Sequence, residues 1–431
     1  MRIEACFDSH VHWPFTGEIS HRLSLAHLKK SRDVLDLKPA AGHLRGEWIL
    51  GFGWQDTDWP EPPHRSVLDE WSKAPVVLSR CDGHAVWVNT ETLKRCKIWD
   101  MKQDPAGGRI VREANGDPTG VLLDTAADLV HAQVPSLTAF EMRRNLLKGV
   151  RMFNEVGYTH IRDMTCDELQ WNEAVHLDQS GALTLAVEEF FWLKSADVLN
   201  ETVSLAIRAQ RSQTPNLRAK GLKLFLDGAL GSEGAYLSRC YSHSENRGLK
   251  IWDTSSLEAV VRKVAEENLE LAVHAIGDEA ADEFVNLALK LHEQGIAGIW
   301  HLEHAELLRS DTVKKMVGLN ITCHLQPSHW LSDRKWLENK IGDLIRDAFP
   351  WRKLQEAGIP FFFGSDAPIE PASVARCLQA LSESAEAGIP RLLGDPTSHM
   401  IHPDRAWAPN SFSVFDGDRP SHVVFRGEDL I

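Results

Sequence analysis

The sequence opens with two histidines whose spacing suits the binding of one metal ion. The segment Phe7-Asp8-Ser9-His10-Val11-His12 is typical of a short strand. Alternate side chains of a strand share a face, so the imidazoles of His10 and His12 would lie side by side. Two neutral imidazoles in that arrangement are good metal ligands. A polar strand end is the alternative, and a metal site therefore requires further ligands later in the chain.

Single metal-binding side chains do follow later strand candidates. They are Lys223, His274, His304 and Asp366, at the ends of the fourth, fifth, sixth and eighth candidates. Each histidine alone would more often be a hydrogen-bonded core residue. Asp366 follows the apolar run 361–363, where an unpaired carboxylate would be costly and a cation would offset that cost. The shared position of all these groups at strand ends favours a metal site.

Lys223 is expected to face the inside of the sheet. The leucines at 222, 224 and 226 share one face of the strand, which leaves Lys223 on the other. A buried lysine is usually paired or neutral, and a neutral amine can add carbon dioxide to form a carbamate that bridges two cations. A salt bridge between Lys223 and Asp227 is the alternative.

The elements that would position these groups alternate between strands and helices. The box Thr138-x-x-Glu141 predicts the start of one helix, Ser255-x-x-Glu258 that of another, and a third is expected over 373–387. Beside the first strand, the strand candidates are 158–163, 183–191, 221–227, 269–276, 298–304, 320–326 and 359–366. Eight strands alternating with helices predict an α/β protein with a (β/α)8 barrel of the TIM type. A doubly wound sheet is the alternative, but it would not explain polar residues at so many carboxyl ends.

The barrel pattern occupies residues 1–12 and 157–389. Residues 13–156 lack this alternation and are interpreted as a large inserted subdomain after the first strand, with strand candidates at 48–52 and 75–80 and a final helix that leads into the barrel. Residues 390–431 form an irregular tail with one strand candidate, at 422–425.

Composition excludes several classes of protein. Hydrophobic residues make up 43% of the chain and charged residues 25%, and no apolar run reaches the roughly 20 residues that cross a bilayer. The net charge of −14 disfavours nucleic-acid binding. Seven scattered cysteines without metal or disulfide spacing, and an N-terminus unlike a secretory signal, indicate the cytoplasm.

Several motifs together resemble the amidohydrolase superfamily, specifically the amidohydrolase-3 group of YtcJ-like proteins and N-substituted formamide deformylases. The motifs are Asp-Ser-His-Val-His at 8–12, Ser-Arg-Cys-Asp-Gly-His-Ala-Val-Trp-Val-Asn at 79–89, Lys-Leu-Phe-Leu-Asp-Gly-Ala-Leu-Gly-Ser at 223–232, Val-His-Ala-Ile-Gly-Asp at 273–278, Leu-Glu-His-Ala at 302–305 and Gly-Ser-Asp-Ala-Pro at 364–368.

The resemblance implies a set of zinc ligands and a reduced second domain. It implies that His10, His12 and Asp366 hold one Zn²⁺, that His274 and His304 hold a second, and that carboxylated Lys223 bridges them. A single-zinc site with an uncarboxylated lysine is left open. Members of the group usually begin with strands that pair with the C-terminal tail in a β-sandwich. Here the barrel strand begins within the first ten residues, so the sandwich should be reduced or absent.

The expected activity is hydrolysis of a C–N bond in a small amide, formamide or cyclic amide. Two cations roughly 3.5 to 4 Å apart would activate water and polarise the substrate carbonyl. Asp366 would take the water proton and pass it to the departing amine. A deaminase or esterase using the same metal site is one alternative, and a non-catalytic metal-binding barrel is another. The sequence does not decide between a monomer and a homo-oligomer.

Four further residues are candidates for substrate binding. The resemblance suggests that the loop with Arg80 and His84 folds over the barrel mouth, where a cationic group could bind a carbonyl or carboxylate. His324 and Gln326, with His329 nearby, are expected to line the pocket. Arg162 and Asp163 are expected to pair with each other.

Overall fold

Eight parallel strands form the main sheet of the computed structural model, which describes residues 1–431. They are adjacent in the sheet in the order in which they occur along the chain. With all strands numbered along the chain, they are β2 (Phe7–Val11), β10 (His160–Cys166), β11 (Ala186–Trp192), β12 (Leu217–Phe225), β13 (Glu270–Ala275), β14 (Ile299–His304), β15 (Ile321–Leu325) and β16 (Phe361–Phe363).

Backbone contacts between β2 and the residues after β16 nearly close this sheet into a barrel. The Asp366 N–H donates to the His10 carbonyl at 2.8 Å, and the His12 N–H donates to the Ala367 carbonyl at 2.8 Å. Gly364 permits this approach, because a Cβ there would lie 2.6 Å from the His10 nitrogen. The predicted (β/α)8 fold is confirmed.

Helices separate successive barrel strands from β10 onward, as parallel pairing requires. The α-helices are α1 (Trp13–Glu18), α2 (Arg65–Trp71), α3 (Thr90–Arg95), α4 (Thr125–His131), α5 (Ala139–Glu155), α6 (Glu168–Gln179), α7 (Leu199–Arg211), α8 (Thr254–Glu266), α9 (Asp278–Glu293), α10 (Ser310–Met316), α11 (Pro327–Asp333), α12 (Leu337–Ile341), α13 (Trp351–Ala357) and α14 (Val374–Glu386). Short 3₁₀ helices cover Ile19–His21, Ser31–Asp36, Ala41–His43, Ala196–Val198, Gly342–Asp347 and Pro396–Met400. None of the helices is long and apolar enough to cross a membrane.

Local signals located one helix start correctly and another incorrectly. Helix α5 begins with the predicted capping box, in which the Thr138 side chain accepts from the Glu141 N–H and the Glu141 carboxylate accepts from the Thr138 N–H. The predicted cap at Ser255 is wrong. Helix α8 is capped by Asp253, whose carboxylate accepts from the Ser256 N–H at 2.9 Å, and the Ser255 hydroxyl donates to the same carboxylate.

The chain divides into two compact units. The first consists of residues 1–18, 138–226 and 252–431 and contains the barrel. The second consists of residues 19–137 and 227–251 and has its own mixed sheet. Its strands are β3 (Leu23–Ser24), β4 (Leu44–Arg45), β5 (Trp48–Trp54), β6 (Val76–Arg80), β7 (Ala85–Val88), β8 (Gly108–Arg112) and β9 (Pro118–Asp124). The predicted boundaries of an inserted subdomain at 13–156 and of a tail at 390–431 stay predictions.

A small antiparallel sheet joins the two ends of the chain. Strand β1 (Arg2–Glu4) pairs with β17 (Phe412–Asp416), which is followed by β18 (Arg419–Phe425) and β19 (Glu428–Asp429). The tail therefore has three strands, whereas the sequence predicted one at 422–425. Alternating polar residues and a turn at Gly417 concealed the others.

Candidate metal centre

The six predicted metal ligands lie together at the carboxyl ends of the barrel strands. His10 and His12 are at the end of β2, and Asp366 follows β16, which neighbours β2 across the closure. The remaining three come from consecutive strands of the sheet: Lys223 from β12, His274 from β13 and His304 from β14. All are buried except His12, which is partly exposed.

Interatomic distances connect these side chains into one cluster. The Asp366 Oδ1 atom lies 3.1 Å from His12 Nε2 and 3.4 Å from His10 Nε2. The His304 ring has its centre 4.6 Å from that of His10 and 4.5 Å from that of His274. Ligand atoms of His10, His304 and Asp366 lie within 4.8 Å of one another. The cluster is small enough for shared metal ligation.

Lys223 is buried among these groups without a hydrogen-bond partner for its Nζ atom. Its nearest described contact is with the Phe225 ring, whose centre lies 4.4 Å from Nζ. Burial lowers the pKa of the amine to about 8, because removing water disfavours the ammonium form. This environment disfavours a conventional salt bridge and makes a neutral amine accessible near neutral pH.

The donor set fits a divalent transition metal. The His10 Nε2 and Lys223 Nζ atoms are buried, and each lacks a hydrogen-bond partner. Buried polar atoms are costly when unsatisfied, and a cation would satisfy the nitrogen and oxygen lone pairs directed into this space. Imidazole and carboxylate ligands suit zinc and its neighbours in the first transition series.

Protonation states in the cluster suit metal ligation. Burial, together with the nearby charges of His10 and Lys223, holds the pKa of His304 well below its usual value and outweighs the opposing charge of Asp366. Burial alone would raise the pKa of Asp366, but hydrogen bonds from His12 and His329 outweigh it and keep that pKa well below its usual value. Neutral imidazole and ionised carboxylate are the forms that bind metal.

Three of the histidines have the Nδ1 atom engaged, which turns Nε2 toward the centre of the cluster. The contacts are His10 Nδ1 to Glu303 Oε2 at 2.6 Å, His12 Nδ1 to Thr165 Oγ1 at 3.2 Å and His304 Nδ1 to Gln326 Oε1 at 2.8 Å. Partners of this kind fix the tautomer and the ring orientation of metal ligands.

The backbone at two of the ligands adopts an uncommon conformation. His304 has φ of 68° and Asp366 has φ of 61°, both in the left-handed region that residues with a Cβ rarely adopt. His304 is the last residue of β14, and Asp366 follows the end of β16. Such strain is concentrated at functional sites in proteins.

Two predicted substrate-binding residues are buried in the barrel unit. The Gln326 Nε2 donates to the His324 carbonyl at 3.1 Å, in addition to the contact of its oxygen with His304. The His324 Nε2 lies 3.0 Å from His301 Nδ1. Their predicted contact with substrate stays a prediction.

The other two predicted substrate-binding residues belong to the second unit. Arg80 forms ion pairs with Asp82 and with Asp56, the latter at 3.2 Å. His84 Nδ1 lies 2.7 Å from Asp124 Oδ1. Their role in substrate binding also stays a prediction.

Sequence reasoning missed Glu303, which contacts His10, and assigned the wrong partner to Arg162. Arg162 does not pair with Asp163 as predicted. Its guanidinium donates to Glu303 Oε1 at 2.8 Å, and Asp163 accepts from the backbone N–H groups of Trp13 and Thr165. The signal for Glu303 was a carboxylate near the end of a predicted barrel strand, directly before the predicted ligand His304, where a buried charge requires a partner.

The barrel and its cluster of candidate metal ligands at the strand ends are typical of metal-dependent barrel hydrolases. The chain belongs to the amidohydrolase family, whose model, described as "Amidohydrolase family", matches residues 5–394. It is therefore an amidohydrolase, the class of enzyme that the sequence motifs predict.

Curated relatives are similar over most of this chain. YtcJ of Bacillus subtilis (strain 168), which is named as an amidohydrolase, is 30% identical over 84% of this chain and 70% of its own length. The protein LONG AFTER FAR-RED 3 of Arabidopsis thaliana is 29% identical over 85% of this chain and 66% of its own length. N-substituted formamide deformylase of Arthrobacter pascens is 23% identical over 89% of this chain and 71% of its own length.

Solved structures share the fold. A metal-dependent hydrolase from Pyrococcus horikoshii OT3 superposes with a TM-score of 0.68 at 23% identity, over 94% of this chain and 79% of that one. A metal-dependent hydrolase from Pyrococcus furiosus superposes with a TM-score of 0.64 at 24% identity, over 92% of this chain and 79% of that one.

Proposed function

We propose that this amidohydrolase cleaves a C–N bond of a small amide, formamide or cyclic amide and that it uses one or two zinc ions. The observation that carries the proposal is the convergence of six donor side chains, among them a buried Lys223 amine that has no hydrogen-bond partner. The name of the Arthrobacter pascens relative, an N-substituted formamide deformylase, supports the substrate class.

The ligands divide between two positions in this proposal. His10, His12 and Asp366 would hold one ion and His274 and His304 a second, and Lys223 as a carbamate would serve both. A bound zinc ion supplies Lewis acidity, which makes water a nucleophile at neutral pH and polarises a carbonyl. The lowered pKa of Lys223, about 8, favours the neutral amine that reacts with carbon dioxide.

Asp366 moves the proton in this proposal. Its ionised carboxylate accepts a proton from the attacking water and delivers it to the amide nitrogen as the C–N bond breaks, so that an amine departs. His329, whose Nε2 lies 3.5 Å from Asp366 Oδ2, holds the carboxylate in place. An amide nitrogen leaves poorly without that proton, so loss of Asp366 should affect amides more than activated esters.

Metal analysis and a substrate panel test the proposal. Protein purified without chelators should contain one to two equivalents of zinc, and Lys223→Ala should lose both zinc and hydrolysis of every amide tested. Lys220→Ala, on the same strand but paired with Glu270 at 2.6 Å, is the matched control and should keep its zinc. Full activity of a metal-free Lys223→Ala protein would refute the proposal.

The panel also separates the alternative reactions. N-substituted formamides and linear N-substituted amides should release an amine and a carboxylate, and cyclic amides should open to a single product that carries both groups. Release of ammonia alone would identify a deaminase, release of alcohol alone would identify an esterase, and zinc binding without turnover would leave a non-catalytic barrel.

A cytoplasmic location and a small-molecule partner complete the proposal. Seven free cysteines, four of them buried, suit a reducing compartment. The net charge of −14 disfavours a nucleic-acid partner. Cell fractionation that recovers the protein outside the cytosol would contradict the location.

A further inference from the structure

Glu303 and Arg162 form a buried ion pair that touches one metal ligand of the proposed centre. One carboxylate oxygen, Oε2, lies 2.6 Å from His10 Nδ1, and the other, Oε1, accepts from the Arg162 guanidinium at 2.8 Å. His10 and Glu303 are each 0% exposed at their side chains and Arg162 is 1% exposed. Water therefore cannot replace either contact.

Arg162 is itself held on two further sides. Its guanidinium donates to the Ser9 carbonyl at 3.2 Å, next to His10 in strand β2, and its Cζ atom lies 4.1 Å from the centre of the Phe190 ring. The guanidinium has no acceptor capacity, so its contact with Glu303 always consumes an oxygen of that side chain. Arg162 therefore donates to Glu303, and the other Glu303 oxygen is left to accept from His10 Nδ1.

His10 has the only ionised partner among the three histidines that are oriented through Nδ1. Thr165 offers a hydroxyl to His12, and Gln326 offers an amide oxygen to His304. A hydrogen bond to a carboxylate is roughly twice as strong as one between neutral groups. Because a carboxylate only accepts, it fixes the proton of His10 on Nδ1 and leaves the Nε2 lone pair for a metal ion.

We propose that Glu303 is a positioning residue, which sets the tautomer and orientation of His10 for metal binding, and that Arg162 fixes Glu303 in turn. This inference rests on the proposed metal function of the cluster. Strand β10, which supplies no predicted ligand, would thus control the metal affinity of a ligand on β2 through a residue on β14.

Glu303→Gln tests the proposal because a glutamine has a single amide oxygen. Arg162 can only donate and will take that oxygen, which leaves the amide NH₂ facing His10. Nδ1 must then accept, the imidazole proton moves to Nε2, and the metal-binding lone pair is lost. Zinc affinity, measured by competition with a chromogenic chelator, should fall by about 10- to 100-fold.

Removing Arg162 as well should restore binding. In the double variant Arg162→Met and Glu303→Gln, the amide oxygen is released from the guanidinium and can accept from His10 Nδ1 again. Zinc affinity should recover to within about threefold of the wild type, a rescue that a purely structural ion pair would not produce. A double variant that binds zinc no better than Glu303→Gln alone would overturn the proposal.

Glu270→Gln is the matched control. It makes the same change at another carboxylate–histidine contact of the barrel, Glu270 Oε2 to His301 Nε2 at 2.8 Å, where the histidine is not a predicted ligand. Its zinc affinity should stay within about twofold of the wild type. An equal loss in both single variants would overturn the proposal.

The outcomes separate this inference from the proposed function. A wild-type protein that binds no zinc refutes the metal function, whereas a wild type and a Glu303→Gln variant with equal zinc affinity refute only the positioning role. If Glu303→Gln does not fold, Arg162→Met with Glu303→Leu is compared with Arg162→Met with Glu303→Gln. The leucine variant should bind zinc about tenfold more weakly, and equal affinities would refute the role.

Discussion

The His84 imidazole in the second unit is held in its protonated form by neighbouring carboxylates. Burial alone would lower its pKa, but the hydrogen bond from Nδ1 to Asp124 Oδ1 at 2.7 Å, the charge of Asp124 and that of Asp82 outweigh burial and raise the pKa to about 9. Burial also raises the pKa of Asp124. The cost of removing that carboxylate from water therefore offsets part of the stability that the His84–Asp124 pair contributes to the fold.

This pair predicts a loss of stability in mild alkali. The raised pKa means that folding favours the protonated form, so the stabilisation is complete below about pH 6.5, the ordinary value for histidine, and is lost as the pH rises through about 9. The difference between a pKa of 6.5 and one of about 9 corresponds to about 3 kcal/mol in the free energy of unfolding. His84→Gln should flatten the decline in the free energy of unfolding between pH 6.5 and 9.

His64→Gln is the control for that experiment. His64 Nε2 also faces a carboxylate of the second unit, Glu113 at 3.0 Å, but its side chain is 35% exposed and solvent screens the pair. The decline with pH should persist in this variant. An unchanged decline in His84→Gln would show that another group titrates in this window.

Individual ligands could be predicted from the sequence, but their buried partners could not. Lys223 was identifiable because three leucines in alternate positions marked the opposite face of its strand. Arg162 was assigned to its neighbour Asp163, but adjacent strand residues face opposite ways, and its true partner Glu303 is 141 positions away. The alternation of residues along a strand shows on which face of the sheet a side chain lies, but it does not show which residue of another strand that side chain contacts.

At the scale of elements, helix α1 connects strand β2 to helix α5. It begins at Trp13, immediately after His12, and packs against α5. The Trp13 indole donates to the Leu146 carbonyl at 3.0 Å. Gly17 lies so close to α5 that a Cβ there would collide with the Asn145 carbonyl oxygen and lie 2.9 Å from the Gly149 nitrogen.

Gly17→Ala should therefore destabilise the barrel unit. The obstructing atoms belong to the backbone of a long helix and cannot rotate away, so the two helices must separate. We expect a loss of about 1 to 3 kcal/mol in the free energy of unfolding, measured by urea denaturation. Gly42→Ala is the control, because a Cβ there has no atom within 4 Å, and it should change the stability by less than about 0.5 kcal/mol. Equal stabilities of the two variants would contradict the packing argument.

Elements with strong local signals were predictable and those defined by distant pairing were not. The capping box at Thr138 is complete within four residues, whereas at α8 the sequence Asp253-Thr254-Ser255-Ser256 offers several capping residues and the first of them caps the helix. Strand β16 has only three residues, because Gly364 to Asp366 leave the ladder to meet β2. The predicted strand at 359–366 extended through these residues because the sequence does not reveal where the barrel closes.

For the molecule as a whole, the sheet of β1, β17, β18 and β19 anchors the chain just before β2, the first barrel strand. The Ala5 N–H donates to the Ser411 carbonyl at 2.8 Å, and the His402 N–H donates to the Ala5 carbonyl at 3.0 Å. Phe425 from β18 packs with Ala186 of the barrel, Trp407 and Ala408 in a buried cluster. The C-terminal segment thus stabilises both the entry to β2 and the outer surface of β11.

Phe425→Ala should weaken this anchor. Truncation of a buried phenylalanine costs about 3 to 5 kcal/mol, and the loss should appear in the free energy of unfolding measured with urea. Phe140→Ala is the matched control, since that side chain is 76% exposed at the start of α5, and it should have little effect. Similar losses from both substitutions would show that β18 does not stabilise the barrel through this cluster.

The closure between β2 and the residues after β16 has a consequence for biosynthesis. His10 and Asp366 are neighbours through the bond from the Asp366 N–H to the His10 carbonyl, yet about 350 residues of chain separate them. At common translation rates a ribosome needs roughly 20 to 70 s to make that stretch. Throughout this interval His10 and His12 belong to an unfinished polypeptide from which the Asp366 carboxylate has yet to emerge. The proposed metal centre would therefore be completed only in chains that have been translated past the eighth barrel strand.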